Sequence, residues 1–127
     1  MRLLLDSTVL IDLLRNRRGR RQLLSKLVLE RNELMTSVIN VAEVYGGLWP
    51  AEETMAETLF ADLNVSDLTP GIAVRAGRLQ YAWARKGRTL GLPDMIVAAT
   101  ALEYDLTLMT DNRKDFPMPE LKFFDLP

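Results

Sequence analysis

The residues of this chain that could do chemistry are carboxylates, and they recur where apolar segments end or helical patterns begin. Asp6 follows the apolar run "RLLL" directly, Glu43 lies within "VINVAEVYGGLW", and Asp94 opens the helical pattern "PDMIVAATALEY". The segment that follows "LTLM" carries the polar residues Thr110, Asp111, Asn112 and Asp115. Acidic residues from four separate segments therefore need a common explanation.

The chain contains no cysteine and no histidine, and these two absences restrict its chemistry. Without cysteine there are no disulfides, thiolate nucleophiles or cysteine zinc sites. Without histidine the commonest general base and transition-metal ligand is missing. Hydrolytic chemistry would depend on carboxylates, hydroxyls, Lys or Arg, or on a hard cation held by oxygen atoms.

Each acidic residue has a structural explanation when it is taken alone. Asp6 can cap the next helix, Asp94 suits a helix N-terminus and Asp115 suits a turn. The set is harder to explain, because two carboxylates ~4 Å apart repel by about 4 kcal/mol at an effective dielectric constant of about 20. Clustered carboxylates must take up protons, pair with Arg or Lys, or bind a divalent cation, and Mg²⁺ and Mn²⁺ prefer oxygen ligands.

Short apolar runs alternate with helical patterns, and this alternation predicts the elements that position the acids. Strands are expected at 2–5, 33–37, 64–69, 106–110 and 121–126, with helices between them. The alternation predicts an α/β fold, a three-layer α/β/α sandwich with a mainly parallel central sheet, in one domain over residues 1–127. Because ligands bind at the carboxyl ends of parallel strands, we expect the acids to share one edge of the sheet.

Two details of the helices are also expected from the sequence. Ser7 or Thr8 would cap the first helix, since hydroxyl side chains accept from the free N–H groups of a first turn. In the amphipathic segment 51–63, the inward side chains are predicted to be Met55, Leu59, Phe60 and Leu63.

Composition describes an ordinary globular protein of 127 residues, 48% hydrophobic and 26% charged. No apolar run approaches the ~20 residues that a membrane helix requires. The N-terminal apolar run meets Asp6 and Asp12 too soon for a signal peptide. A cytoplasmic location without membrane association is therefore expected.

Four segments of the chain together resemble a known family. "LLLDSTVLIDLL", "TSVINVAEVYGGL", "LGLPDMIVAATAL" and "LMTDNRKDF" are similar, in order and spacing, to the four motifs of PIN-domain ribonucleases. The length and short flanks resemble the VapC toxins of type II toxin–antitoxin pairs. The resemblance implies a Mg²⁺- or Mn²⁺-dependent endoribonuclease that a small cognate antitoxin inhibits and that is usually a homodimer.

The resemblance also assigns roles to particular residues. Asp6, Glu43 and Asp94 match the acids that bind the metal and carry out catalysis. The closing motif T-x-N/D-x-x-D-F makes Asp115 the fourth such acid, with Asp111 as the competing choice. The supporting polar groups are Ser7, Thr8, Thr110 and Asn112. Whether one metal or two are used is left open.

Basic residues are expected to contact RNA phosphates, and the clearest candidates are Arg85, Lys86 and Arg88, since they precede the loop that leads to Asp94. The arginine-rich segment 15–31 is equally well explained as an RNA contact or as a solvated helix face. The short apolar helices at 9–14 and 39–48 are expected to leave a groove for the antitoxin, an expectation that comes mainly from the family.

Other functions remain as alternatives to the nuclease. The main one is a catalytically inactive PIN-like RNA-binding or scaffold protein, which would have lost metal binding. A phosphoacceptor receiver domain would need a Lys soon after a late strand, but Lys114 lies in an unsuitable turn. An aspartate-nucleophile phosphatase would need a D-x-D signature, whereas Asp6 is followed by Ser7 and Thr8.

Overall fold

The computed structural model describes residues 1–127 and contains one sheet of five strands in the order β3-β2-β1-β4-β5. The strands are β1 (Arg2–Leu5), β2 (Glu33–Ser37), β3 (Asn64–Ser66), β4 (Thr107–Met109) and β5 (Lys122–Phe123). Every neighbouring pair is parallel. The predicted fold class is therefore confirmed, although the two outer strands are shorter than expected.

Six helices connect and cover these strands. They are α1 (Ser7–Leu14), α2 (Arg20–Leu29), α3 (Val38–Gly47), α4 (Glu53–Asp62), α5 (Pro70–Arg85) and α6 (Leu92–Glu103). Short 3-10 turns lie at Pro50–Glu52 and Arg113–Asp115. None of the helices is both long enough and apolar enough to cross a membrane.

The central strand β1 is buried on both faces, which explains its continuous run of leucines. Leu4 packs into a core formed with α5 and α6, whereas Leu3 and Leu5 pack into a core formed with α1 to α4. The side chains separate in this way because successive residues of a strand point to opposite faces of the sheet. The two cores, one on each face of the sheet, give the fold its three layers. They also hold β1 in place, so that Asp6, which follows its last residue, lies at the carboxyl edge of the sheet.

Two of the predicted helix details are wrong. The N-cap of α1 is Asp6, whose side chain accepts from the backbone N–H of Ser7, so neither hydroxyl residue caps the helix. Met55 is 49% exposed, because α4 turns Ala56 toward the core instead. Ala56, Phe60 and Leu63 follow helical spacing along the covered face, and Met55 lies at its margin.

Candidate functional site

The polar residues that follow the strands meet at the carboxyl edge of the sheet. Asp6 follows β1, and its backbone N–H donates to the carbonyl of Met109 in β4 at 3.0 Å. Ser37 ends β2, and Thr110 follows β4. Because β1 lies between β2 and β4, the Asp6 side chain stands between polar groups from both neighbours.

Asp6 is only 5% exposed, and neutral donors bond to both oxygens of its carboxylate. Its Oδ1 accepts from the backbone N–H of Ser7 at 2.9 Å and from Asn40 Nδ2 at 3.1 Å. Its Oδ2 accepts from Thr110 Oγ1 at 2.7 Å. These bonds fix the orientation of the carboxylate and satisfy its buried oxygens without placing a cation beside it.

A chain of hydrogen bonds leads from the end of β2 to Glu43. Ser37 Oγ donates to Asn40 Oδ1 at 2.6 Å, and Asn40 Nδ2 donates to Ser7 Oγ at 2.9 Å as well as to Asp6. Ser7 Oγ donates in turn to Glu43 Oε1 at 2.7 Å. Glu43 lies on the exposed part of α3, and this bond holds one of its oxygens toward Asp6.

Asn40 is the functional candidate that reasoning from the sequence missed. It is completely buried and contacts Ser37, Ser7 and Asp6 through one amide group. The sequence does contain a signal for Asn40. It lies three residues after Ser37, which is the spacing of a helix capping pair, and about one turn before Glu43. Asn40 is linked to Glu43, the carboxylate on this apolar helix, through the Ser7 hydroxyl.

Asp94 lies in the first turn of α6 and is half-buried. Burial is the largest cause of a raised pKa at its carboxyl, which reaches about 6 when the charges of its neighbours are included. The neighbouring carboxylates that contribute to this rise are, in decreasing order of effect, Asp6, Asp115 and Glu43. The four predicted acids are thus close enough for their charges to interact, although no three of them form a ready-made ligand set.

The two aspartates of the segment after β4, Asp111 and Asp115, have different partners. Thr110 Oγ1 accepts from the backbone N–H of Asn112 at 3.0 Å while donating to Asp6. Asp115 lies in the 3-10 turn, and its charge acts on Asp94. Asp111 binds guanidinium groups instead, those of Arg20 at 2.8 Å and Arg18 at 3.0 Å.

Two of the supporting residues take a smaller part in this network than the sequence suggested. Thr8 Oγ1 is buried and has no hydrogen-bond partner. Asn112 contributes its backbone N–H, which donates to Thr110. Ser7 and Thr110, by contrast, each bond directly to a carboxylate of the predicted set.

The basic residues fall into two groups. Arg85, Lys86 and Arg88 are exposed at the end of α5, where Arg88 Nη2 also donates to the carbonyl of Lys114. Lys86 lies over the Trp83 ring, 4.5 Å from its centroid. The end of α5 therefore lies beside the turn that carries Asp115.

The arginine-rich segment is neither wholly solvated nor wholly free to bind RNA. Arg15 pairs with Glu52 at 2.9 Å, and the hydrogen bond from its guanidinium lowers the pKa of the Glu52 carboxyl. Arg21 donates to the carbonyls of Leu13 and Leu14 at the end of α1. Part of this segment therefore serves the packing of α1 and α2.

The donor atoms at the carboxyl edge suit a hard cation. They are carboxylate, hydroxyl and amide oxygens, and the chain has neither imidazole nor thiolate to offer. Such oxygens are the preferred ligands of Mg²⁺ and Mn²⁺. A divalent cation would also relieve the repulsion that contributes to the raised pKa of Asp94.

Comparison with known proteins gives a consistent result. The PIN domain pattern matches residues 3–118. Ribonuclease VapC10 of Mycobacterium tuberculosis is 39% identical over 120 residues, which cover 93% of this chain and 88% of that protein. Ribonuclease VapC19 of the same organism is 31% identical over 120 residues, with 94% and 96% of the two chains covered.

Solved structures agree in fold. A toxin–antitoxin complex from Klebsiella pneumoniae is 30% identical with a TM-score of 0.74, covering 93% of this chain and 92% of that one. VapBC-1 from nontypeable Haemophilus influenzae is 26% identical with a TM-score of 0.77, covering 99% and 98%. The chain therefore belongs to the PIN-domain family, where its relatives are the VapC ribonucleases.

Proposed function

We propose that this protein is a Mg²⁺- or Mn²⁺-dependent endoribonuclease, the toxin of a type II toxin–antitoxin pair, which hydrolyses RNA phosphodiester bonds. The observation that carries the proposal is the half-buried Asp94, whose pKa is raised to about 6 by burial and by three neighbouring carboxylates. Uncompensated negative charge at the ligand edge of a parallel sheet favours cation binding. The ribonuclease names of the VapC relatives support the same activity.

The residues proposed to hold the metal are Asp6, Glu43, Asp94 and Asp115, and Asp115 is preferred to Asp111 because only Asp115 acts on Asp94. When bound, the cation would supply positive charge near the scissile phosphate and acidify a water molecule.

The protein's own groups prepare this edge before RNA arrives. Asn40, Ser7 and Thr110 hold Asp6 in one orientation, so little side-chain freedom is lost when ligands bind. Asp94 holds a proton below about pH 6 and is a carboxylate above it. Its protonation state therefore changes close to neutral pH.

RNA is proposed to approach along the end of α5. Arg85 and Lys86 are exposed there, and Arg88 reaches the turn next to Asp115 through the Lys114 carbonyl. Positive charge beside a negative site lets the phosphate backbone approach the carboxylates with less repulsion. The contacts are to phosphate, so they would not select a base sequence.

A cognate antitoxin, a homodimeric assembly and a cytoplasmic location are proposed as well. The solved structures described above include toxin–antitoxin complexes. An apolar groove lies between α1, α2 and α4, and not between α1 and α3 as the sequence suggested; its apolar lining is Leu13, Leu14, Leu24, Met55 and Leu59. This groove is a suitable place for an apolar segment of the antitoxin, because it would cover side chains such as the exposed Met55.

The test is cleavage of a mixed RNA pool by the purified chain in Mn²⁺ or Mg²⁺, beside EDTA and the Asp6→Asn variant. Asp62→Asn is the matched control, because Asp62 is an exposed acid at the end of α4, away from the network. Cleavage that needs metal, fails in Asp6→Asn and persists in Asp62→Asn supports the proposal. RNA binding without metal uptake or cleavage would instead identify an inactive RNA-binding or scaffold protein.

A further inference from the structure

Arg20 is a charged side chain that the proposed mechanism does not use, and its side chain is completely buried. Its Nη2 donates to Asp111 Oδ1 at 2.8 Å, and its Nη1 donates to the main-chain oxygen of Pro127 at 3.3 Å. A buried guanidinium without contact to solvent cannot bind an RNA phosphate in this conformation. Arg20 is therefore explained by what it holds inside the protein.

The connection between α1 and α2 places two arginines, Arg18 and Arg20, next to Asp111. Asn16, Arg18 and Gly19 all have positive φ, at 51°, 57° and 68°. Two of these three residues are not glycine, so the tight turn has a conformational cost that other contacts must offset. Arg18 reaches Asp111 Oδ1 at 3.0 Å, alongside Arg20.

Asp111 is covalently joined to the group that orients the central carboxylate. The preceding residue, Thr110, donates to Asp6 at 2.7 Å, and the following residue, Asn112, donates its N–H back to Thr110. If Asp111 is held, the backbone on both sides of it has little freedom. The position of the Thr110 hydroxyl, and of the turn that leads to Asp115, then depends on Asp111.

We propose that Arg20 is a positioning residue that acts through Asp111 to hold the Thr110–Asp115 segment against Asp6. The activity part of this inference rests on the proposed nuclease function. Loss of Arg20 would lower metal affinity and kcat while leaving the KM for RNA nearly unchanged, because Arg20 contacts neither the metal nor RNA. Changes of this kind next to a metal site typically weaken affinity or activity by about 10- to 100-fold.

The test must separate positioning from stability, because Arg20→Met leaves Asp111 without its buried partner. The double variant Arg20→Met/Asp111→Leu removes both charges, and replacing a buried ion pair with apolar groups often preserves stability. Arg2 provides the matched control, since it also binds a carboxylate, Glu33, and a backbone carbonyl, but at the opposite edge of the sheet. The control variants are Arg2→Met and Arg2→Met/Glu33→Leu.

The first readout is hydrogen exchange of the Asn112 amide in metal-free protein, which reports the bond to Thr110 directly. The second is Mn²⁺ affinity by electron paramagnetic resonance, and the third is kcat and KM for RNA. In the double variant we expect near-normal melting, Asn112 exchange faster by about tenfold or more, and Mn²⁺ affinity and kcat lower by about tenfold. The KM should stay within about twofold, and the Arg2 variants should change none of the three.

A stable double variant with normal Asn112 protection and normal Mn²⁺ affinity would overturn the proposal and reduce Arg20 to a packing role. Failure of the nuclease proposal gives a different pattern. In that case the wild-type chain cleaves no RNA, while faster Asn112 exchange and weaker Mn²⁺ binding in the double variant still support positioning by Arg20.

Discussion

Asp6 and Asp111 are both largely enclosed, and both lie beside Thr110, yet opposite kinds of donor hold them. Asp6 accepts from neutral groups, among them the Asn40 amide and the Thr110 hydroxyl. Asp111 accepts a hydrogen bond from the buried Arg20 and forms an ion pair with Arg18. Neutral donors orient a carboxylate and leave its charge in place, whereas guanidinium groups orient it and cancel the charge.

The difference shows why the number of acids in a segment is a poor guide to its chemistry. In the uncompensated region, which comprises Asp6, Glu43, Asp94 and Asp115, burial and the neighbouring carboxylate charges raise the pKa of half-buried Asp94 to about 6. In the neutralised region, around Asp111, two arginines already pair with the carboxylate, both at Oδ1. A cation site is expected where carboxylates are fixed but not neutralised, and the predictions below test that distinction.

The largest effect is expected from Asp6→Asn, which removes the charge at the centre of the uncompensated region while keeping a side chain of similar shape. Cleavage should fall by about a hundredfold or more, because the cation that would stabilise the developing charge loses its central ligand. Single-turnover cleavage in Mn²⁺ measures the effect. A rate equal to that of Asp62→Asn would show that the charge of Asp6 plays no part.

Asp115→Asn and Asp111→Asn should affect different properties. Asp115→Asn is expected to slow cleavage by about 10- to 100-fold with little change in stability, because Asp115 belongs to none of the ion pairs. Asp111→Asn is expected to lower the free energy of unfolding by about 2–3 kcal/mol, because buried Arg20 loses its anionic partner.

Denaturant unfolding and single-turnover cleavage of both variants decide between the two aspartates. In Asp111→Asn the amide oxygen can still accept from Arg20, so cleavage should fall less than in Asp115→Asn. If cleavage falls more in Asp111→Asn than in Asp115→Asn, Asp111 is the fourth acid. The distinction between the neutralised and the uncompensated region would then be wrong.

Asp94 makes the stability of the metal-free protein depend on pH. Its pKa rises on folding from 3.8 to about 6, so the folded state binds the proton more tightly. Its contribution to stability is therefore greatest at low pH and falls as pH rises between these two values. Asp94→Asn should stabilise the metal-free protein above this range by about 1–2 kcal/mol, after discounting for solvent screening of a half-buried group.

Thermal unfolding of wild type and Asp94→Asn, with EDTA at pH 3.5 and at pH 7.5, checks this prediction. The variant should gain stability relative to wild type only at the higher pH, and added Mn²⁺ should stabilise the wild type more than the variant. An equal difference at both pH values would mean that the Asp94 charge is already compensated in the folded protein.

Much of the fold could be predicted because its signals are local. The run Leu3–Leu5 is apolar, short and followed by Asp6, which suits a buried parallel strand that ends at the ligand edge. Leu121–Leu126 was a weaker signal, and only Lys122 and Phe123 form a strand there. The outer strand has a neighbour on one side only, so its length depends on packing that the sequence does not display.

The site was harder to predict wherever its partners are distant in sequence. Asn40 lies 34 residues from Asp6, and Arg20 lies 91 residues from Asp111. Within a run of arginines, Arg20 cannot be told from its exposed neighbours by composition, since its burial depends on the turn at Gly19 and on the segment after β4. Long-range contacts of this kind require the folded arrangement.

The smallest effect is expected from the exposed cations at the end of α5, which set how RNA approaches the uncompensated region. In an Asp6→Asn background that binds RNA without cutting it, Arg85→Gln/Lys86→Gln should weaken binding by about tenfold at low salt. The slope of log affinity against log salt should decrease by about 1.4, since each contact to single-stranded RNA contributes about 0.7. The matched control is Lys26→Gln/Arg31→Gln, which removes two exposed charges near α2. If that control reduces the slope instead, RNA reaches the carboxylates from the side of α2, past Asp111. The contrast between the two regions would then no longer describe how the substrate enters.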